Sequence, residues 1–429
     1  MKVHLKALGC RLNEAELENW SRQFQAAGHS ITPSAAEADV VVLNSCAVTQ
    51  EASAKSRRLL NRLHRENPSS RLVATGCYAT LQAETVAAAL GVDLVVANDA
   101  KDQLPQQVMQ AFAAPVMPFV ASEPGEHSLF IRGRQRAFIK IQDGCRYRCT
   151  FCIVTVARGE ERSRSQAEII AEINAFAAQG IQEIVLTGVH VGGYGSDLPD
   201  ASLFKLVQSI LAETDIPRIR FASVEPWDLP EDFFELFSNP RLMPHIHLPI
   251  QSGSDSVLRR MARRCKTQEF ADLVQQARTA IPDFNVTTDI IVGFPGETEQ
   301  EWLETVDFVE QIGFGHIHIF SYSAREGTKA ARLPNPVPES LKKERSQQLH
   351  ALAKQQQTAW LMQQSGQLVE VLWECRRELG EQPFFYGYTP NYCKVLAQLE
   401  QMQNLENTRT LTRLHWSGTN AEYLLGQLQ

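Results

Sequence analysis

Six of the nine cysteines fall into two sets, each of which could hold a metal centre. Cys145, Cys149 and Cys152 make a Cys-x3-Cys-x2-Cys pattern in DGCRYRCTFC, directly after the apolar run AFIKIQ. Thiolates are the usual ligands of iron-sulfur clusters, and one tight loop can place three of them round one face of a cubane. Three ligands leave one iron open, as a catalytic centre requires, whereas structural sites are closed by four. A zinc loop completed by a distant histidine such as His190 is the competing chemistry. The second set is scattered: Cys10 ends VHLKALGC, Cys46 ends VVVLNSC and Cys77 ends RLVATGC. Local spacing would never join them. In a parallel sheet, however, the carboxyl ends of the strands share one edge, where open α/β folds place their ligands. Cysteines acting as apolar filler would lie inside the strands rather than at each exit. Gly9 and Gly76 precede two of the three and would let backbone approach a bulky ligand closely.

The elements that must position these cysteines are legible as alternating patterns. VHLKAL, DVVVLN, RLVAT and LVVA alternate with amphipathic stretches near Glu14–Ala27, Glu51–Glu66 and Leu81–Leu90, which predicts a small parallel α/β domain over 1–112. Residues 113–130 carry Pro115, Pro118, Pro124 and Gly125 without periodicity and read as a linker. Over 131–365, AFIKIQ, EIVLTG, RIRFAS, HIHLPI, VTTDIIVGF and HIHIFSYS are strand candidates, each followed by a helical stretch. Six such units predict an incomplete parallel (β/α)6 barrel whose chemistry sits at the carboxyl ends of its strands. A long polar helix near Pro338–Gln364 closes this region. The short strands LVEVLWE, FFYGYT, YCKVLAQL, RTLTRLHW and AEYLLGQL then predict a small β-barrel over 366–429.

Bulk properties narrow the class. The chain has 429 residues, 44% of them hydrophobic, with no run of about 18 uncharged apolar residues and no cleavable leader pattern after Met1. A cytoplasmic protein with no membrane segment is expected, and nine cysteines in that compartment point to metal or redox chemistry rather than disulfides. The net charge of -7 does not announce a nucleic-acid binder. Locally, Arg132 to Arg164 holds nine basic residues against Asp143, Glu160 and Glu161, and further basic clusters lie at Lys55–Arg71 and Arg259–Lys266. Each cluster alone fits a solvated helix face or a phosphate contact.

The Cys-x3-Cys-x2-Cys loop, with Phe151 before its last cysteine, resembles the radical S-adenosylmethionine enzymes. The resemblance implies a [4Fe-4S] cluster on Cys145, Cys149 and Cys152 whose open iron binds the cofactor and cleaves it to a 5′-deoxyadenosyl radical. It also implies Phe151 near the adenine and Thr187 and Gly188 near the methionine group, while Glu225, Gln251 and Asp289 follow or end later strands and could face the same mouth. Cys10, Cys46 and Cys77, together with ALGCRLN, LNSCAVTQEA, ATGCYA, the ARG of Ala157–Gly159, HLPIQSGSDSVLRRM and DIIVGFPGET, resemble the methylthiotransferase branch. That branch carries an auxiliary [4Fe-4S] cluster on three such cysteines and an RNA-binding TRAM barrel at its end. YGYTPNYCKV and ASVEP look most like the members acting on N6-threonylcarbamoyladenosine next to the anticodon of transfer RNA. The implied activity is methylthiolation at C2 of that adenine, with two clusters, S-adenosylmethionine, a transfer-RNA substrate and an electron donor of flavodoxin or ferredoxin type. Isopentenyladenosine or a ribosomal-protein aspartate are alternative substrates, and a non-catalytic zinc-bound RNA-binding protein is the alternative class. No oligomeric state is implied.

Three departures from the family pattern stand out. Val154, Thr155 and Val156 replace the usual Ile-Pro-Tyr, Cys265 stands where an aromatic is common, and 366–429 holds five Lys or Arg against seven Glu. RNA contact by that last region is therefore expected from Tyr386, Tyr388, Asn391 and Tyr392 through stacking rather than net charge, with Phe384 and Phe385 in its core.

Overall fold

The computed structural model describes residues 1–89, 91–112, 136–379, 382–398, 405–416, 418 and 422–428. The segment expected as a linker, 113–130, and Arg132 and Arg134 of the basic cluster lie outside them. The described residues divide into two compact units: one comprises the residues up to 112 with Asp143–Tyr147 and Cys152–Glu161, the other the remaining residues from 136 onward.

In the first unit, strands β1 (Lys2–Ala7), β2 (Ser30–Ile31), β3 (Val40–Ser45), β4 (Arg71–Thr75) and β5 (Val92–Val96) form one sheet in the order β2-β1-β3-β4-β5. Every pairing is parallel. Strand β3 shows why the sequence folds this way. Its apolar run is continuous because both faces are covered: Val40 and Val42 join Leu17, Trp20 and Phe24 on one side, and Val41 and Leu43 join Leu60 and Leu63 on the other. Helices Arg11–Ala26 and Gln50–Glu66 supply those apolar stripes. The helix expected over Leu81–Leu90 is instead two short ones, Gly76–Leu81 and Ala83–Ala87.

The second unit contains β6 (Arg136–Lys140), β9 (Glu183–Thr187), β10 (Arg218–Phe221), β11 (His245–His247), β12 (Asn285–Val292) and β13 (His316–Ser321); between the first two in sequence come the two-residue pieces β7 (Gln142–Asp143), whose second residue counts with the first unit, and β8 (Arg162–Ser163). Parallel sheets β10-β9-β6 and β11-β12-β13 are linked by the parallel bridges Ile219↔Leu242 and Ser223↔His247, so six strands run as one incomplete barrel. Helix Glu339–Gln364 follows, and β14 (Leu368–Leu379), β15 (Gln382–Tyr388), β16 (Lys394–Gln398), β17 (Arg409–His415) and β18 (Leu424–Leu428) close into a barrel around Trp373, Phe385, Val395 and Leu414. This is the mixed α/β architecture with a terminal β-barrel that the patterning predicts. No helix among the described residues is long and apolar enough to cross a membrane.

Candidate cluster and active site

Strands β1, β3 and β4 are neighbours, so their carboxyl ends share one edge. Cys10 caps the helix after β1, Cys46 directly follows β3, and Cys77 opens the short helix after β4. All three are free thiols. Each lies within electrostatic reach of the other two. Two glycines make the convergence possible. Gly9, at φ +115°, would carry a Cβ only 2.7 Å from the Cys46 sulfur, and Gly76, at φ +90°, would drive one to 2.3 Å from the Ser45 carbonyl. Ser56 fixes the backbone of Cys46 from both sides, its hydroxyl donating to the carbonyl at 2.8 Å and accepting from the amide at 3.1 Å. Burial pushes the Cys46 thiol up to about 11, so it keeps its proton until a metal displaces it. Three converging thiols with glycine-cleared space suit a soft metal cluster.

Beneath this edge lies a buried network that patterning alone did not single out. Arg158, of the ARG motif, donates to Glu16 at 3.0 Å, Asp143 at 3.0 Å and Asn13 at 2.8 Å. Lys101 pairs with the same two carboxylates at 2.5 and 3.2 Å. Two cations thus balance two anions, and Arg158 reaches Cys10 and Cys77 electrostatically. Asn98 donates towards the Cys77 sulfur at 3.8 Å. Despite the missing proline, Val154–Arg158 forms a short helix that delivers Arg158.

Cys145, Cys149 and Cys152 are half-exposed and likewise in no disulfide. The Cys145 amide donates to the Gly159 carbonyl, and Gly144 sits where a Cβ would overlap Glu160. The Val154 amide points at the Cys152 sulfur at 3.4 Å, as backbone donors do towards cluster thiolates. Arg263 donates to the Cys149 sulfur at 3.8 Å and to the Pro249 carbonyl, and stacks 4.2 Å over Trp227. Phe151 is half-buried against the cluster of Val257, Met261, Phe294 and Ala330, on which Ile291 also packs.

The remaining expected residues lie on the barrel strands. Thr187 ends β9 and its carbonyl accepts from the Ile141 amide, while Gly188 leaves room for the Gln142 side chain, whose Oε1 would lie 2.9 Å from a Cβ there. Gln142 caps the amides of Val189 and His190. His190, the candidate fourth zinc ligand, is fully buried and bound to Asp228 at 2.6 Å, so its imidazole is committed elsewhere. Glu225 has a buried Oε2 without a hydrogen-bond partner among the described residues. Burial raises its carboxyl above the usual range against the pull of His190 and Arg263. An acceptor left open in this way suits a ligand carrying amino or hydroxyl groups. Gln251 adopts φ +84° and bridges β12 by bonds to Asp289 and Ile291 backbone. Asp289 pairs in register with His318 and is bonded by His247 at 3.1 Å. Burial works to raise its pKa, yet His247 and His318 hold the carboxyl below its usual range. Both histidines went unmarked in the sequence, although the alternations HIH in β11 and β13 put them on strand faces.

The expected stacking residues are corrected by the structure. Tyr388 and Asn391 are buried, and Tyr392 stacks on Tyr388 at 4.6 Å and 7°. Arg136 and Arg220 lie over these rings, and Asn391 takes bonds from Asn285 and gives one to Gln364. These side chains fasten the small barrel to the βα barrel, which takes Tyr388 and Asn391 out of reach of RNA, while Tyr386 is half-buried and bonded to Tyr388 in the same cluster.

Comparison with known proteins agrees with this geometry. Residues 139–309 match the Radical SAM superfamily and residues 2–97 match the Uncharacterized protein family UPF0004. The chain is 37% identical to the threonylcarbamoyladenosine tRNA methylthiotransferase MtaB of Bacillus subtilis (strain 168), covering 92% of this chain and 90% of that protein. It is 37% identical to the tRNA-2-methylthio-N(6)-dimethylallyladenosine synthase of Bacillus pumilus (strain SAFR-032), over 97% and 85%. In fold it is similar to the radical S-adenosylmethionine methyltransferase TsrM from Kitasatospora setae, with TM-score 0.57 and 14% identity over 77% of each chain. On these grounds the chain belongs to the radical SAM methylthiotransferase family.

Proposed function

We propose that this protein methylthiolates C2 of N6-threonylcarbamoyladenosine next to the anticodon of transfer RNA, in the cytoplasm, with an electron donor of flavodoxin or ferredoxin type. The observation that carries the reading is the pair of cysteine trios outside any disulfide, one on a strand-end edge and one in the Cys-x3-Cys-x2-Cys loop, in a chain related over nearly its whole length to enzymes of that name. When bound at these trios, two [4Fe-4S] clusters and S-adenosylmethionine supply hydrogen-atom abstraction and the sulfur to be transferred. An aromatic C–H is neither acidic nor electrophilic enough for acid-base or nucleophilic chemistry, which is why the radical route is needed.

The protein's part is to hold and exclude. Cys145, Cys149 and Cys152 offer three thiolates and leave one coordination position open, while Cys10, Cys46 and Cys77 do the same where Gly9 and Gly76 clear the space. Phe151 forms an apolar wall beside its loop, Thr187 and Gly188 shape the mouth at β9, and Glu225 offers an acceptor to the cofactor's polar groups. Gln251 holds a strained turn across the end of β12. Residues 1–112 are read as the auxiliary-cluster domain, 131–365 as the radical SAM barrel and 366–429 as a TRAM-like RNA-binding barrel, with 113–130 between the first two.

The relatives named for dimethylallyladenosine keep a second substrate in view at similar identity. Mass spectrometry of transfer-RNA nucleosides from cells with and without the gene separates the two. Loss of the 2-methylthio form of threonylcarbamoyladenosine is expected; loss of the isopentenyl product instead would overturn the assignment.

A further inference from the structure

We propose that His247, Asp289 and His318 form the pocket that reads the N6 substituent of the target adenosine, and that it is built for a group carrying a carboxylate and a hydroxyl or N–H. This rests on the substrate class proposed above and says how that class is selected.

The placement follows from strand register. Thr287, Asp289 and Ile291 share one face of β12, while Val286, Thr288, Ile290 and Val292 are wholly or nearly wholly buried on the other. On that face Ile291 packs against the cluster of Val257, Met261, Phe294 and Ala330 that also receives Phe151, the residue before Cys152. Asp289 is one step further along, about 7 Å away at two residues per repeat. Arg263, whose guanidinium touches the Cys149 sulfur, also lies within electrostatic reach of Asp289. In adenine C2 and C6, the carbon that carries N6, flank the same ring nitrogen, so presenting C2–H to the cysteine loop obliges the N6 substituent to settle within a strand step or two. The His-Asp-His cluster occupies that place.

Its chemistry is specific. A ring nitrogen or carboxylate oxygen from each residue lies within 4.8 Å of the others. Thr287 bonds His247 Nδ1 at 2.9 Å, which aims Nε2 at Asp289. The Asp289 side chain retains 23% of its surface, that of His247 retains 12%, and His318 is exposed, so a ligand can reach all three. The His318 imidazole suits a carboxylate, and the Asp289 oxygens suit a hydroxyl or urea N–H. The threonylcarbamoyl group brings all of these. An isopentenyl group brings none, and seating it here would strip water from the Asp289 carboxylate and the exposed His318 imidazole without replacing a single bond. The pocket therefore selects by penalising the apolar substituent as well as by holding the polar one.

Equilibrium binding of anticodon stem-loop RNAs to the full-length, anaerobically reconstituted protein tests this, with threonylcarbamoyladenosine, isopentenyladenosine or plain adenosine at the target position. The wild type should prefer the threonylcarbamoyl RNA over the isopentenyl RNA by about tenfold or more. His318→Ala and Asp289→Asn should cut that preference to about threefold or less, with iron content and binding of the plain RNA unchanged, and His318→Gln, which keeps a donor, should retain part of it. A wild type that discriminates and variants that discriminate equally would overturn the pocket while leaving the substrate standing. A wild type with no preference would overturn the pocket too, and nucleoside profiling would then say whether the substrate falls with it.

Discussion

The edge that gathers Cys10, Cys46 and Cys77 is built from groups whose protein contacts are long, such as Cys10 to Asn13 at 3.6 Å and Asn98 to Cys77 at 3.8 Å. The interior around Asp289 is built from groups that bond one another well, His247 to Asp289 at 3.1 Å and His247 to Thr287 at 2.9 Å. The first arrangement is completed only by an added metal, and its shape depends on backbone clearance and a balanced charge floor. The second holds its shape without a ligand and so can discriminate among ligands. Supplying reactivity and choosing the substrate are thus assigned to regions of different physical character.

The largest effect that would sharpen this contrast is Cys149→Ala, which should abolish both product formation and reductive cleavage of S-adenosylmethionine. Asp289→Asn should keep that cleavage within about threefold while reducing product, because a substrate contact is lost and not the radical source. Equal loss of cleavage in both variants would return Asp289 to the cofactor.

Next in size, Arg158→Met takes one cation from the buried carboxylates of Glu16 and Asp143, which Lys101 also pairs. Removing one member of such a network should cost about 3–5 kcal/mol in denaturant unfolding. The half-exposed pair of Arg164 with Glu172 at 2.6 Å should yield less than about 1 kcal/mol on Arg164→Ala. Similar values for the two would deny the charge floor its role.

Gly76→Ala should cost roughly 1–3 kcal/mol, since it combines a positive φ with a backbone clash. Iron analysis should show it losing auxiliary iron while the Cys-x3-Cys-x2-Cys loop stays loaded. Retention of both would mean that the clearance is not needed.

The last effect is acidic. Two hydrogen bonds from Arg260, with further ones from Ser256 and the Thr298 amide, hold Glu301 down to about 2. A depressed carboxylate stabilises the fold fully above its unfolded pKa near 4.5 and loses that contribution as pH falls towards 2. Discounted for its partial exposure, the loss should be roughly 1–2 kcal/mol, absent in Glu301→Gln when acid unfolding is compared. The Arg260 carbonyl in turn accepts from Thr150, inside the cysteine loop, so the clamp steadies that loop.

Much of the cysteine edge was legible because continuous apolar runs such as VVVLN mark buried parallel strands, and a cysteine just past each run must lie at the shared edge. The six βα strands and the five of the terminal barrel were legible for the same reason. The residues that face inward were not. Alternation places Tyr388 and Tyr392 on strand or turn faces but does not tell whether the neighbour is RNA or Arg136 and Arg220 of the adjoining barrel. Basic clusters misled similarly: Arg260 is bound to Glu301, Arg263 to Pro249 and Trp227, and Arg158 to buried carboxylates, so charge counted along the chain overstated what is offered to phosphate. His247 and His318 become neighbours only through register across three strands, which no local pattern encodes.

The central claim, that two cysteine trios each hold a cluster, is tested most directly by iron and acid-labile sulfide analysis after anaerobic reconstitution. The wild type should hold about eight irons per chain, and the Cys10→Ala/Cys46→Ala/Cys77→Ala and Cys145→Ala/Cys149→Ala/Cys152→Ala variants about four each. A wild type with about four irons, unchanged when Cys10, Cys46 and Cys77 are replaced, would contradict it.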